Sequence, residues 1–123
     1  MSTIRDIMSG ELVSVSPSTT VAEAATTMAE RRVGSALVLD GGLVGIFTER
    51  DIVRALSQDF DAPGHPVENW MTRNPTTIAP DAPVQEALDM MLAAGFRHLP
   101  VVDGDDILGV VSIRDLSRAT AES

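Results

Sequence analysis

The sequence predicts an α+β fold built from two βαββα repeats that share one hydrophobic core. The first observation is duplication: the segment LVGIFTERD at residues 43–51 returns as ILGVVSIRD at residues 107–115. The second is that each copy combines strand-like and helix-like apolar periodicities in the same order. The third is size, because a repeat of about 60 residues buries too little surface to be stable alone. The two repeats are therefore expected to fold as one unit.

The repeats align along most of the 123 residues with one change of offset. Met8 matches Met71, an offset of 71 − 8 = 63. One extra residue in the second Asp/Gly turn raises the offset to 64, so that Asp51 matches Asp115. The predicted organisation is a single module over 1–123, with a first repeat at 4–57, a linker at 58–66 and a second repeat at 67–119.

Each repeat has the same predicted order of elements. A short extended segment is followed by a helix with apolar residues at i, i+3, i+4 and i+7, then by a two-stranded hairpin and a closing helix. The first repeat places them at 12–15, from 21 onward, at 36–39 and 43–47, and at 49–56. The second places them at 76–78, from 84 onward, at 99–102 and 107–111, and at 113–119. Thr20 and Glu23 predict a capping box at the start of the first long helix.

Composition excludes several classes of function. A net charge of −9 and a pI near 4.4 argue against binding to nucleic acid. No apolar run approaches the roughly 18 residues of a membrane span, and the N-terminus has no signal-peptide pattern. With no cysteine, a cytoplasmic location is the expectation, and two distant histidines give little support to a metal site.

The duplicated segment carries the candidate chemistry. In Thr48-x-x-Asp51 and Ser112-x-x-Asp115, a hydroxyl and a carboxylate meet where a buried strand runs into a helix. Ligands collect at such junctions because the helix N-terminus offers free N–H groups. The same tetrapeptide also fits a capping box with an acidic third residue. The two interpretations are compatible, since a capping carboxylate still has a second oxygen.

Over nearly its whole length the chain resembles a tandem pair of cystathionine-β-synthase (CBS) domains, a unit also called a Bateman module and here expected as a stand-alone protein. The resemblance rests on DIMSGELVSVSP and TVAEAATTMAERRVGSALVLDGGLVGIFTERDIV in the first repeat, and on NWMTRNPTTIAP and PVQEALDMMLAAGFRHLPVVDGDDILGVVSIRDL in the second. It implies a sandwich-like packing of two βαββα units with pseudo-twofold symmetry and two clefts between the repeats.

The resemblance also implies the ligand and its contacts. The motif aspartate would bind the ribose hydroxyls of AMP, ADP or ATP, and the motif hydroxyl would face the phosphate; no obligatory cofactor is implied. The residues implied for the first cleft are Asp115, Ser112, Arg97, His98, Ser9, Leu12, Val13, Ser35 and Ala36. Those implied for a second, weaker cleft are Asp51, Thr48, Thr72, Pro75, Thr76 and Leu99.

The two clefts are expected to be unequal. Arg97 and His98 can meet a phosphate, whereas the first repeat has Gly34 and Ser35 at the matching positions. Unless Arg50 or residues of the other repeat substitute, the second cleft lacks its own cations.

The function implied is a non-catalytic sensor acting in trans on an unknown protein partner. No Walker A or GxGxxG segment appears, and His98 has no Ser or Cys nucleophile beside it in its motif. One alternative is S-adenosylmethionine as the ligand; another is an interaction module with vestigial clefts. A homodimer is expected because the closing helices would expose Ile52, Leu56 and Leu116.

Overall fold

The computed structural model describes residues 2–121 and confirms a fold of mixed helices and sheets. The helices are α1 (Ile4–Ile7), α2 (Val21–Arg31), α3 (Glu49–Gln58), α4 (Val84–Ala94) and α5 (Ile113–Ala121). The strands are β1 (Ser14–Val15), β2 (Ser35–Leu39), β3 (Leu43–Thr48), β4 (Thr72–Arg73), β5 (His98–Asp103) and β6 (Asp106–Ser112). Short 3₁₀ turns occupy Ala62–Gly64 and Val67–Asn69.

The chain forms two compact units, which we name after their motif aspartates. The Asp51 unit is Val13–Pro75, and the Asp115 unit combines Met1–Leu12 with Thr76–Ser123. Each unit therefore contains the body of one sequence repeat together with the first residues of the other repeat. We call these first residues, at 2–12 and 67–75, the opening segments. The duplication alone does not predict this exchange.

The Asp51 unit is a four-stranded sheet in the order β1-β2-β3-β4, covered by α2 and α3. β1 runs parallel to β2, while β3 is antiparallel to both β2 and β4. The predicted capping box of α2 is present: the Glu23 N–H donates to the Thr20 Oγ1 at 3.1 Å, and the Thr20 N–H donates to Glu23 Oε1 at 3.1 Å. The bond from the Thr20 N–H is the main reason that the pKa of Glu23 is lowered.

The Asp115 unit is an antiparallel hairpin of β5 and β6 packed with α1, α4 and α5. The strand predicted at 76–78 is reduced to a single parallel bridge between Ile78 and Val101. Helix α1, which the sequence patterns did not predict, begins the opening segment and buries Ile4 completely in this core.

The segment predicted as a linker is packed against the Asp51 unit. Ala62 is fully buried, the Val21 N–H donates to the His65 carbonyl at 2.9 Å, and the imidazole of His65 stacks on the indole of Trp70 at 5.8 Å. Its two prolines and one glycine shape a 3₁₀ turn and tight bends that carry the chain along α2 and α3.

The opening segments cross the strands of the duplicated motif at its glycines. A Cβ at Gly109 would overlap the carbonyl oxygen of Ser9, and a Cβ at Gly45 would lie 2.6 Å from the Met71 Sδ. Glycine is therefore required at position 109 by the close approach of another backbone segment, whereas at position 45 the nearest atom belongs to a flexible side chain.

One expectation about the surface is wrong. Leu116 is not exposed: it is fully buried in the core of the Asp115 unit, and Ile52 is half-buried against the Asp51 core. Leu56 is 48% exposed as expected, together with Val53 on the same helix. Leu116 is covered because α5 packs against α1 and α4, which the sequence of the closing helix does not show. Among the described residues, no helix is long and apolar enough to cross a membrane.

Candidate functional site

The two strand–helix junctions share one local geometry. At the end of β3 the Thr48 N–H donates to Asp51 Oδ2 at 2.9 Å, and the Asp51 N–H donates to Thr48 Oγ1 at 3.4 Å. At the end of β6 the Ser112 N–H donates to Asp115 Oδ2 at 3.0 Å, and the Asp115 N–H donates to Ser112 Oγ at 3.1 Å. Both motifs are therefore capping boxes, and each commits one carboxylate oxygen to the helix start.

The Asp115 junction leaves its other oxygen available. Asp115 is half-buried, and within the described part of the chain its Oδ1 accepts no hydrogen bond. A half-buried ionised carboxylate with an unused oxygen can accept hydrogen bonds from a ligand. This junction can bind a group that donates them.

Two candidate cations flank the Asp115 junction. His98 pairs with Ser112 across the hairpin, and the Arg97 carbonyl accepts from the Ile113 N–H at 2.8 Å, where α5 begins. The Arg97 side chain is exposed and His98 is half-buried. The fold thus brings Arg97, His98, Ser112 and Asp115 to one edge of the hairpin, beside a helix N-terminus that itself favours anions.

The Asp51 junction is closed by comparison. Asp51 is 6% exposed, its Oδ2 also accepts from the Thr48 hydroxyl at 3.1 Å, and its Oδ1 lies 3.2 Å from an Arg54 nitrogen. Burial raises the pKa of Asp51 above its usual range, although the bonds from Thr48 and the charges of Arg54 and Arg50 oppose the rise. Both oxygens of this carboxylate are already engaged.

The positions equivalent to Arg97 and His98 hold no ionisable side chain at the Asp51 junction. The Gly34 carbonyl accepts from the Glu49 N–H at 3.1 Å, as the Arg97 carbonyl does from Ile113. Ser35 pairs with Thr48 and is 7% exposed. The sequence difference at 34–35 and 97–98 therefore lies at matching places in the two junctions.

The remaining predicted site residues divide between the units. Ser9 lies in the Asp115 unit, where it exchanges two backbone hydrogen bonds with Val110, and Leu12 belongs to the same unit. Thr72 and Pro75 lie in the Asp51 unit with Thr48. The other predicted contacts lie in the unit opposite to their aspartate, and their membership of its site stays a prediction: Val13, Ser35 and Ala36 for Asp115, and Thr76 and Leu99 for Asp51.

Sequence reasoning missed Arg54 as a residue of the Asp51 junction. Its guanidinium bridges Asp51 Oδ1 and the backbone carbonyl of Trp70. The i,i+3 spacing to Asp51 was visible in the predicted helix and could have suggested the ion pair. Among the described residues, no group of three or more His, Cys, Asp or Glu side chains could hold a metal ion.

Comparison with known proteins shows which family the chain resembles. The CBS domain model matches residues 4–58 and 67–122. The chain is 46% identical over 120 residues to an uncharacterised 17.7 kDa protein of Acidianus ambivalens, covering 94% of this chain and 71% of that protein. It covers only 21% of each of three longer CBS domain-containing proteins of Arabidopsis thaliana.

Two solved structures resemble the fold and contain ligands. The CBS domain pair of protein MJ0100, in complex with 5′-methylthioadenosine and S-adenosyl-L-methionine, is 30% identical with a TM-score of 0.89, covering 98% of this chain and 97% of that one. CBSX2 in complex with AMP is 28% identical with a TM-score of 0.81, covering 98% and 96% of the two chains. The duplicated motif, the strand order and these matches agree: the chain belongs to the CBS domain family, as a tandem pair of CBS domains.

Proposed function

We propose that this chain is a non-catalytic regulatory module that binds an adenosine ligand at the Asp115 junction and transmits its occupancy to a partner protein. The observation that carries the proposal is the unused Oδ1 of Asp115 at a helix N-terminus, next to the strand end that carries Arg97 and His98. AMP, ADP and ATP are the proposed ligands.

The chemistry of the junction fits the two ends of a nucleotide. A carboxylate only accepts hydrogen bonds, and the vicinal hydroxyls of a ribose are two adjacent donors. Arg97 can bind phosphate oxygens through its planar fork, with His98 as a further donor, and the positive end of the α5 dipole lies beside them. On a chain of net charge −9, such local cations are needed to offset repulsion of an anionic ligand.

The ligands of related structures support the adenosine part of the proposal. AMP, 5′-methylthioadenosine and S-adenosyl-L-methionine share an adenosine group and differ beyond the ribose. S-adenosylmethionine is the second candidate. It shares the adenosine group, and its sulfonium would not need Arg97 as a partner. A regulatory output requires that the ligand bind two conformations of the module with different affinity.

Calorimetric titration of nucleotide-free protein with AMP, ATP and S-adenosylmethionine tests the proposal. A ligand at one hundred times its Kd should stabilise the fold by about 2.7 kcal/mol. Thermal unfolding with and without each ligand provides the matching measurement. A folded protein that binds none of the three would refute the sensor function and favour an interaction module with vestigial sites.

We also propose that the module pairs with a second copy through α3. Val53 and Leu56 are 68% and 48% exposed, and Phe60, just beyond the helix, is 99% exposed. Val53 and Leu56 are three residues apart in α3, so they lie on one side of the helix. In an antiparallel pair of α3 helices, Arg50 in the first turn of one helix would lie near Asp59 at the end of the other.

This interface predicts a different response at two equivalent helix positions. Val53→Glu should weaken dimerisation at least about a hundredfold, because each copy would then bury an unpaired charge. Ser117→Glu, the matching change on the exposed face of α5, should leave the dimer intact. Light scattering across micromolar concentrations measures both. A monomeric wild type, or a Val53→Glu variant that stays dimeric, would contradict the α3 interface.

A further inference from the structure

Arg54 occupies the part of the Asp51 carboxylate that a ribose would need. The carboxylate has two oxygens: Thr48 engages Oδ2 through its N–H and its hydroxyl, and Arg54 lies 3.2 Å from Oδ1. The Asp51 side chain is nearly inaccessible, while the Arg54 side chain is 49% exposed. A ligand approaching from solvent would therefore meet the guanidinium before the carboxylate.

The second contact of Arg54 holds it in that place. The same nitrogen donates to the backbone carbonyl of Trp70, in the opening segment that joins the Asp51 unit. Trp70 is itself fixed by stacking on His65 and by its indole N–H, which donates to the Gln58 Oε1 at 3.4 Å. The guanidinium thus bridges a buried anion and an anchored carbonyl.

The duplicated half of the chain provides an internal comparison. Arg118 matches Arg54 at the repeat offset, 118 − 54 = 64, on the equivalent turn of α5. In the described part of the chain no hydrogen bond or ion pair joins Arg118 to Asp115. The residue that matches Trp70 is Ile7 (70 − 7 = 63), which has no polar side-chain group to anchor it. The same spacing therefore gives a bridge in one unit only.

We infer that Arg54 is an internal plug that keeps the Asp51 junction closed to adenosine ligands, and that displacing it opens a second site. This inference rests on the proposed function and deepens it. The two junctions would then differ in ligand affinity for two reasons: a competing side chain occupies the Asp51 carboxylate, and phosphate-binding cations are absent beside it. Because Gly34 and Ser35 flank this junction, the opened site would take an uncharged adenosine-type ligand more readily than AMP.

The test uses adenosine as the probe and an Asp115→Ala background, in which only the Asp51 junction can respond. Arg54→Met retains most of the aliphatic stem and removes the guanidinium. We expect Asp115→Ala alone to show little binding, and Asp115→Ala with Arg54→Met to bind one adenosine per chain, with an affinity at least about tenfold higher. The increase in adenosine affinity is limited because the Arg54 side chain is half-exposed, and solvent weakens its ion pair with Asp51.

Arg118→Met in otherwise unchanged protein is the matched control, since it removes the same group from the equivalent helix position. It should leave the adenosine stoichiometry of the wild type unchanged, whereas Arg54→Met in the wild-type background should raise it from one to two. Circular dichroism confirms the fold of each variant. If Arg54→Met does not fold, Arg54→Gln decides, because a neutral amide has no charge to pair with the Asp51 carboxylate; it should then bind adenosine more tightly than the parent.

The outcomes separate this inference from the proposed function. One adenosine per chain in wild type, with no additional binding in either Arg54 variant, would overturn the plug and leave the Asp115 site standing. Binding only after Arg54 is replaced would support the plug and refute the Asp115 assignment. An absence of adenosine binding in every folded variant would overturn both.

Discussion

Gly109→Ala is expected to destabilise the protein by about 3 kcal/mol, near the upper end of the usual range for an overpacked site. The added methyl group would overlap the carbonyl oxygen of Ser9. That oxygen cannot retreat easily, because it accepts from the Val110 N–H at 3.1 Å while the Ser9 N–H donates to the Val110 carbonyl at 2.9 Å. Relief of the overlap requires the opening segment to separate from β6, which would also loosen the fully buried Ile4.

Urea unfolding followed by circular dichroism measures this effect, and two other glycines calibrate it. Gly10→Ala lies one residue beyond Ser9 in open space and should change the free energy of unfolding little. Gly45→Ala should have an intermediate effect, since the nearest atom there is the flexible Met71 Sδ at 2.6 Å. Equal stability of the Gly109 and Gly10 variants would show that the opening segment does not pack on β6 in solution.

Arg97→Ala is expected to weaken AMP binding by roughly ten- to a hundredfold while affecting adenosine much less. A hydrogen bond to a charged group contributes about 1.5–3 kcal/mol, and each 1.4 kcal/mol corresponds to a tenfold change in Kd. Adenosine has no phosphate, so it does not use this residue. Calorimetry of wild type should saturate near one AMP per chain, because the Asp51 junction has no cation at the equivalent position and its carboxylate is held by Arg54.

Two control variants separate a direct contact from a change of net charge. Arg118→Ala removes the same charge from the exposed face of α5 and should change the AMP affinity little. Asp115→Asn should reduce both AMP and adenosine binding but keep most of the ligand-free stability, since the Asn side-chain oxygen can still accept from the Ser112 N–H. Tight AMP binding that survives Asp115→Ala but is lost in Asp51→Ala would show that the two junctions were assigned in the wrong order.

The sequence was sufficient for the duplicated fold because its signals are local. Apolar periodicity located α2, α4 and both hairpins, and Thr20 with Glu23 marked a helix start that the structure confirms. The two hydroxyl-x-x-Asp motifs were likewise found from spacing alone, and both form the capping geometry that the spacing predicted. A capping box closes within four residues, so no distant contact is needed to form it.

The tertiary structure alone decided which segments and side chains meet. Repetition gave no reason for residues up to Leu12 to pack with the chain beyond Thr76, since that exchange depends on long-range contacts such as Ser9 against β6. Arg54 and Arg118 are indistinguishable by spacing, yet in the part of the chain that the structure describes Arg54 donates to the Trp70 carbonyl and Arg118 makes no equivalent bond. The burial of Leu116 depended in the same way on what covers α5. Local sequence pattern determined the helices, the strands and their motifs. Contacts between residues far apart in sequence determined which motif carboxylate has an unused oxygen. The reason is that the partner of a side chain depends on how distant segments pack, which periodicity does not describe.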